Sequence, residues 1–145
     1  MGDFHLADFL PYQLSVTSNA VSRAVATGTD YEARFGLTAA EWRVLAAITA
    51  AGNPAQTGLL AVTGMDKMTI SRAVAALGAR RLVDRVRDTA DRRTLRLSPT
   101  VEGRRIHDIV APPALKVEVR LLAALSTAEA TALRAALAKL RAACE

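Results

Sequence analysis

The sequence predicts a mainly helical chain that carries one small two-stranded β-hairpin. Three observations predict it. Alanine and leucine recur at the 3.6-residue spacing of amphipathic helices through most of the 145 residues. Two segments, "LTAAEW" and "LSTAEA", set a hydroxyl residue three positions before a glutamate, the pattern that satisfies the first free N–H groups of a helix. One stretch, residues 82–98, abandons helical spacing: around 95–97 leucine alternates with arginine, as in a strand with one packed face.

The elements follow in order. The first helix is expected to begin near Asp8, with Pro11 in its first turn, where a missing N–H costs little. Leu10, Leu14, Val21 and Val25 form its apolar stripe, and it fades near Gly28. The second starts at the cap Thr38, with Glu41 completing the capping box and Leu37 and Trp42 at the staple positions. Trp42, Leu45 and Ile48 face inward, and Gly52-Asn53-Pro54 ends the helix. A third, short helix spans "TGLLAVTG", capped by Thr57 and closed by Gly64. A fourth runs from the cap Asp66 to about Arg80. Two strands, 82–87 and 94–98, flank the polar tip "DTADRR". Thr100 caps the next helix, which Pro112-Pro113 is expected to kink or break by removing two consecutive donors. Ser126 and Glu129 open the last helix, with Leu133, Leu137 and Leu140 on one stripe. A short helix-turn-helix followed by a charged hairpin is the winged helix-turn-helix plan.

Composition excludes several classes. No apolar run is long enough to span a membrane, and none is expected to contact one. The opening residues lack the basic and apolar regions of a secretory signal. Leu6 stands where a myristoylation motif needs serine or threonine. Cys144 is the only cysteine, so no internal disulfide is expected. A soluble cytoplasmic protein is the expectation. His5 and His107 are too few and too far apart in sequence for a metal site. No phosphate loop or nucleophile motif supports catalysis, and no cofactor is expected.

The net charge of +5 is localised. Residues 66–96 hold nine basic and four acidic side chains, while the rest of the chain holds ten of each. A scattered excess would be a solvated face. An excess confined to 31 residues points to a polyanionic partner.

The fourth helix carries the recognition chemistry. Ile70, Val74 and Leu77 share its core side. Met68, Arg72 and Ala75 lie opposite, with Thr69 and Ser71 flanking them and Lys67 in the first turn. Small outer side chains let a helix enter the major groove, where Arg72 can pair with guanine. Lys67 and the free N–H groups suit phosphates. At the hairpin tip, Arg92 or Arg93 can enter a minor groove. The tip carboxylates can hold an arginine fork by bidentate pairing, and Asp91 is expected to orient the tip. Leu82, Val86, Leu95 and Leu97 are expected to hold the hairpin to the body.

The segments "LTAAEWRVLAAI" (37–48), "DKMTISRAVAALGARRLVDR" (66–85), "DRRTLRL" (91–97), "TVEGRRI" (100–106) and "LSTAEATALRAALAKL" (125–140) together resemble the MarR family of bacterial winged-helix regulators. The resemblance implies a homodimer built by the first and last two helices. It implies a division into a dimerisation helix (1–34), a winged helix-turn-helix DNA-binding domain (35–99) and dimerisation helices (100–145). It also implies recognition contacts by Lys67, Met68, Thr69, Ser71 and Arg72, and a minor-groove contact by Arg92 or Arg93. Two departures stand out. Residues "LGARRL" replace the family's usual acidic or polar residue and glycine before the leucine, so Arg80 and Arg81 are expected to add phosphate contacts. Leu59 stands where glutamate is common.

Regulators of this kind typically release DNA when a small molecule, often an aromatic acid, binds between the DNA lobe and the dimer helices. Tyr12, Trp42, Arg43 and His107 are the candidates to line such a pocket, although each has an ordinary packing role, Trp42 in the core. Peroxide sensing by an N-terminal cysteine does not fit a lone Cys144. The expected function is a dimeric regulator, most simply a repressor, on a pseudo-palindromic duplex. The alternative is a winged-helix protein-interaction module with no DNA role, which the concentrated positive charge disfavours.

Overall fold

The structure, a computed structural model, describes residues 2–145. A 3₁₀ turn at Leu6–Asp8 leads into α1 (Leu10–Thr29), with Pro11 in its first turn. Next comes α2 (Tyr31–Phe35), a five-residue helix that helical periodicity is too coarse to reveal. It is bracketed by two left-handed residues, Asp30 at φ 53° and Gly36 at φ 64°, which turn the chain sharply at both ends.

Helix α3 (Ala39–Ala51) begins as expected. Thr38 Oγ1 accepts the Glu41 N–H at 3.1 Å, and Glu41 Oε2 accepts the Thr38 N–H at 3.3 Å. The start of α4 (Leu59–Thr63) differs from expectation. A 3₁₀ turn, Gln56–Gly58, precedes it and contains Thr57, so Thr57 makes no capping bond and the chain enters α4 through Gly58. Gly64, at φ 65°, closes α4, and two residues later Asp66 caps α5 (Lys67–Ala79). Helix α5 packs against α3 through Ile70, Ala73, Val74 and Leu77, all buried.

Helix α5 stops in a tight C-terminal turn. Leu82 N–H reaches back to Leu77 O at 2.9 Å and Arg81 N–H to Gly78 O at 3.0 Å, with Arg81 left-handed at φ 56°. This is the turn that usually takes glycine. Strands β1 (Val83–Arg87) and β2 (Leu95–Pro99) then pair antiparallel, with Arg85 opposite Leu97 and Val86 opposite Arg96. Alternation from Val83 therefore sets the inward face: Val83 and Leu97 are buried, whereas Val86 lies on the outer face and is 62% exposed. Val86 does not hold the wing, because it lies on the face opposite the inward Val83, whereas Leu82, just before the strand, is buried as expected. A further anchor comes from Pro54, whose carbonyl accepts the Leu97 N–H at 2.9 Å.

Thr100 caps α6 (Val101–Leu122), and Gly103 seats it against the wing base. A Cβ on Gly103 would collide with the Leu82 carbonyl oxygen. Pro112-Pro113 does not break α6, which runs through both prolines as one helix. Their missing donors would have served the carbonyls of Asp108 and Ile109. Helix α7 (Thr127–Ala143) opens with both bonds of its capping box but buries no residue. Leu133, Leu137 and Leu140 are on its surface, and so are Leu10, Leu14 and Val21 of α1. Only Val25 of the expected α1 stripe packs on the core, which is built from α2 to α5 with Leu37 between α2 and α3, the wing base and the first half of α6. No described helix is long and apolar enough to cross a membrane.

Candidate nucleic-acid interface

The α4–α5 turn aims the N-terminus of α5 outward, and its first turn is organised by Asp66. Asp66 Oδ1 accepts the Thr69 N–H at 2.8 Å, and Oδ2 accepts the Thr69 hydroxyl at 2.7 Å. The hydroxyl bond, then the amide bond, hold the Asp66 carboxyl below the usual aspartate range. The Thr69 hydroxyl hydrogen is therefore engaged, which leaves its methyl and its lone pairs to face outward partners. Lys67, Met68, Ser71 and Arg72 are exposed, Met68 at 60%. Neither Lys67 nor Arg72 makes an ion pair among the described residues.

The wing tip is held by carboxylates, but not by pairing with the tip arginines. Asp88 Oδ1 accepts the N–H groups of Ala90 (2.7 Å) and Asp91 (3.2 Å). Asp88 Oδ2 takes a single bond from Arg96 Nε at 2.8 Å. These bonds, led by Arg96, hold the Asp88 carboxyl below its ordinary range. Asp91 Oδ1 accepts the Arg93 N–H at 3.0 Å, and Oδ2 accepts the Thr94 hydroxyl at 3.3 Å. Arg87 Nη1 donates to the Arg92 carbonyl at 2.8 Å. The expected bidentate clamp on Arg92 or Arg93 is thus absent. Both carboxylates shape the backbone, and Asp88, whose bond to Arg96 spans eight residues, is the organiser that spacing alone does not single out. The Arg92 and Arg93 guanidinium groups are exposed and carry no intramolecular ion pair among the described residues.

Helix and wing converge on one cleft of about 360 Å³. Lys67 of α5 and Arg93 of the wing both line it, with Leu60, Ile70 and Leu95 supplying apolar wall. Arg80 is not part of this surface. Its guanidinium donates to the carbonyls of Gly36, at 3.3 Å, and Phe35. Arg81 is exposed, at the left-handed position where the family usually has glycine.

The pocket candidates divide. Trp42 is half-buried and stacks between Tyr31 (centroids 6.1 Å apart) and His107 (5.8 Å). His107 Nδ1 lies 3.0 Å from Asp108 Oδ1, and Arg43 Nη2 donates to Ser22 Oγ at 2.6 Å. Burial raises the Tyr31 phenol, with Arg43 opposing. Residues of α1, α2, α3 and α6 thus meet around Trp42. Tyr12 is ten residues before Ser22, about 15 Å along α1, and exposed on its surface. Tyr31 joins the group unanticipated, because it sits on the short α2. Among the described residues no cluster of metal-binding side chains occurs.

An exposed, small-residue helix beside an arginine-tipped wing, with both elements contributing cations to one cleft, defines a winged-helix DNA-binding protein. Residues 35–94 match the model of the MarR family. Over its full length the chain superposes on the PcaV transcriptional regulator of Streptomyces coelicolor, solved with its natural ligand, at 26% identity and TM-score 0.84, covering all of both chains. It shares 31% identity with a probable transcriptional regulator of Pseudomonas aeruginosa, covering 94% of this chain and 99% of that one, at TM-score 0.77. It is 25% identical to BpsR of Bordetella bronchiseptica, whose DNA binding is regulated by 6-hydroxynicotinic acid, covering 96% and 97% at TM-score 0.83. No curated protein sequence matches. The chain belongs to the MarR family of winged-helix transcriptional regulators.

Proposed function

We propose that this regulator is a cytoplasmic homodimer that reads a pseudo-palindromic duplex and represses transcription until a small aromatic acid releases it. One observation carries the DNA reading: Lys67 on α5 and Arg93 on the wing line the same cleft, and neither they nor Arg72 and Arg92 are neutralised by an internal ion pair among the described residues. Met68, Thr69, Ser71 and Arg72 then read base edges, Lys67 contacts phosphate, and Arg92 or Arg93 enters the minor groove from a tip shaped by Asp91. The exposed apolar faces of α1 and α7 support dimerisation through residues 1–34 and 100–145, with 35–99 as the DNA-binding part. The ligand reading draws on PcaV and BpsR, and on the Tyr31–Trp42–His107 stack with Arg43 nearby.

Selection of a binding duplex from random sequence, followed by titration at several salt concentrations, tests the reading. A symmetric site with half-sites about one turn apart is expected, and affinity that falls steeply with salt. Arg72→Ala should relax base preference. Alanine at Arg92 or Arg93 should weaken binding with less effect on major-groove choice. Weak, salt-insensitive binding to every duplex would sink the proposal.

A further inference from the structure

We infer that Arg80 is a positioning residue that clamps the recognition helix to the bracket between α1 and α3, and so sets the angle at which that helix is presented. This rests on the DNA-binding reading above. Arg80 ends α5, and its side chain reaches back across 44 and 45 residues to the carbonyls of Gly36 and Phe35. These carbonyls close α2, where a helix C-terminus carries partial negative charge and lacks its own donors. Glu41 completes the clamp, 4.0 Å from Arg80 Nη1, while its Oε2 also caps α3 through the Thr38 N–H. One guanidinium thus ties the ends of α5 and α2 to the start of α3.

The position of the clamp gives it its role. Helix α2 is five residues long and flanked by the left-handed Asp30 and Gly36, so α1 and α3 are joined through two sharp turns. Such a bracket is a place where a small backbone change swings α1 relative to the DNA-reading body. A fork that bonds two adjacent carbonyls restrains that swing; a lysine has the charge but not the planar fork. Arg80 acts through geometry and not by touching DNA.

The test uses the duplex selected by the wild-type protein and versions with one or two base pairs inserted between half-sites. The wild type should prefer its own spacing by at least about fivefold. Arg80→Met keeps the apolar stem and removes the fork. It should erase most of that preference while the salt dependence of binding stays unchanged, and Arg80→Lys should fall between. A thermal melt of each variant separates loosened presentation from unfolding, and Arg80→Lys serves as the decisive variant if Arg80→Met does not fold. Retained spacing preference overturns the clamp. So does a shallower salt slope, by about one phosphate contact, which would make Arg80 a DNA ligand after all. A wild type that selects no duplex removes the proposed function instead. The clamp is then judged by spin-label distances between Ala75 and Arg23, labelled protein being diluted with unlabelled, and a distribution no broader in the variant than in the wild type overturns it.

Discussion

Arg81 shows how one residue departs from its neighbours' logic. It occupies the left-handed position after α5, at φ 56°, where an L side chain is strained by about 1–2 kcal/mol. Its backbone does essential work: the N–H bonds Gly78 O, and the carbonyl accepts the Thr100 hydroxyl at 2.8 Å. Glycine would keep both bonds without the strain, at the cost of a more flexible unfolded chain. Arg81→Gly should therefore stabilise the fold by about 0.5–1 kcal/mol, read as a higher melting temperature. An unchanged or lower one would show that the side chain returns what the backbone loses. The same residue explains why "LGARRL" departs from the family pattern without altering the turn. Neighbouring residues with the same charge have different fates, since Arg80 is consumed internally and Arg81 is not.

At the scale of elements, the wing and the start of α6 are the instructive cases. The wing turn depends on the ionised carboxylate of Asp88, which accepts bonds from Arg96, Ala90 and Asp91. Its folded-state pKa is depressed, so its contribution is complete above the ordinary aspartate range and is lost as pH falls through the lowered value. Protection of the Ala90 and Asp91 amides, taken as exchange relative to an unstructured chain at the same pH, should hold from neutral pH downward and fall only below the usual aspartate range. A loss of protection already at pH 5 would contradict the depression. Asp88→Asn should give the loosened tip at every pH. The α6 junction is steric. Gly103 has no room for a side chain beside the Leu82 backbone, so Gly103→Ala must push α6 off the wing base. A loss of about 1–3 kcal/mol is expected by chemical denaturation, and a loss below a few tenths would mean that the junction yields easily. Both features were partly legible: the D-x-x-D-R-R tip and the TVEG start are visible in the chain. Which carboxylate bonds which donor was not, because Asp88 and Arg96 meet only once β1 and β2 are in register.

For the whole molecule, the single chain is incomplete as an apolar object. Helix α7 buries nothing and, among the described residues, is tied to α6 by one ion pair, Arg134–Glu118 at 2.9 Å. Leu133, Leu137 and Leu140 lie on its surface, as do Leu10, Leu14 and Val16 on α1. An exposed stripe on helices with intact caps calls for a partner surface, and the proposed partner is a second copy. Sedimentation should show a dimer, and Leu133→Glu with Leu137→Glu should give a monomer that retains its helices. That monomer should bind the selected duplex at least about a hundredfold more weakly, because two linked half-sites no longer act together. A wild-type monomer in sedimentation would remove the homodimer from the proposal.

The sequence by itself determined the helical class, the two capping boxes, the Asp66 cap, the hairpin and the concentration of positive charge. These are local matters, decided by residues within four positions of one another or by counting. Tertiary structure decided the rest. It showed that Val83 and not Val86 faces inward, that Thr57 caps nothing, and that α6 runs through two prolines. It also separated Arg80, bonded to the carbonyls of a helix more than forty residues away, from Lys67 and Arg93, which meet across a cleft. An arginine's partner is chosen by which backbone ends the folded chain brings within reach, and no spacing along the sequence records that distance.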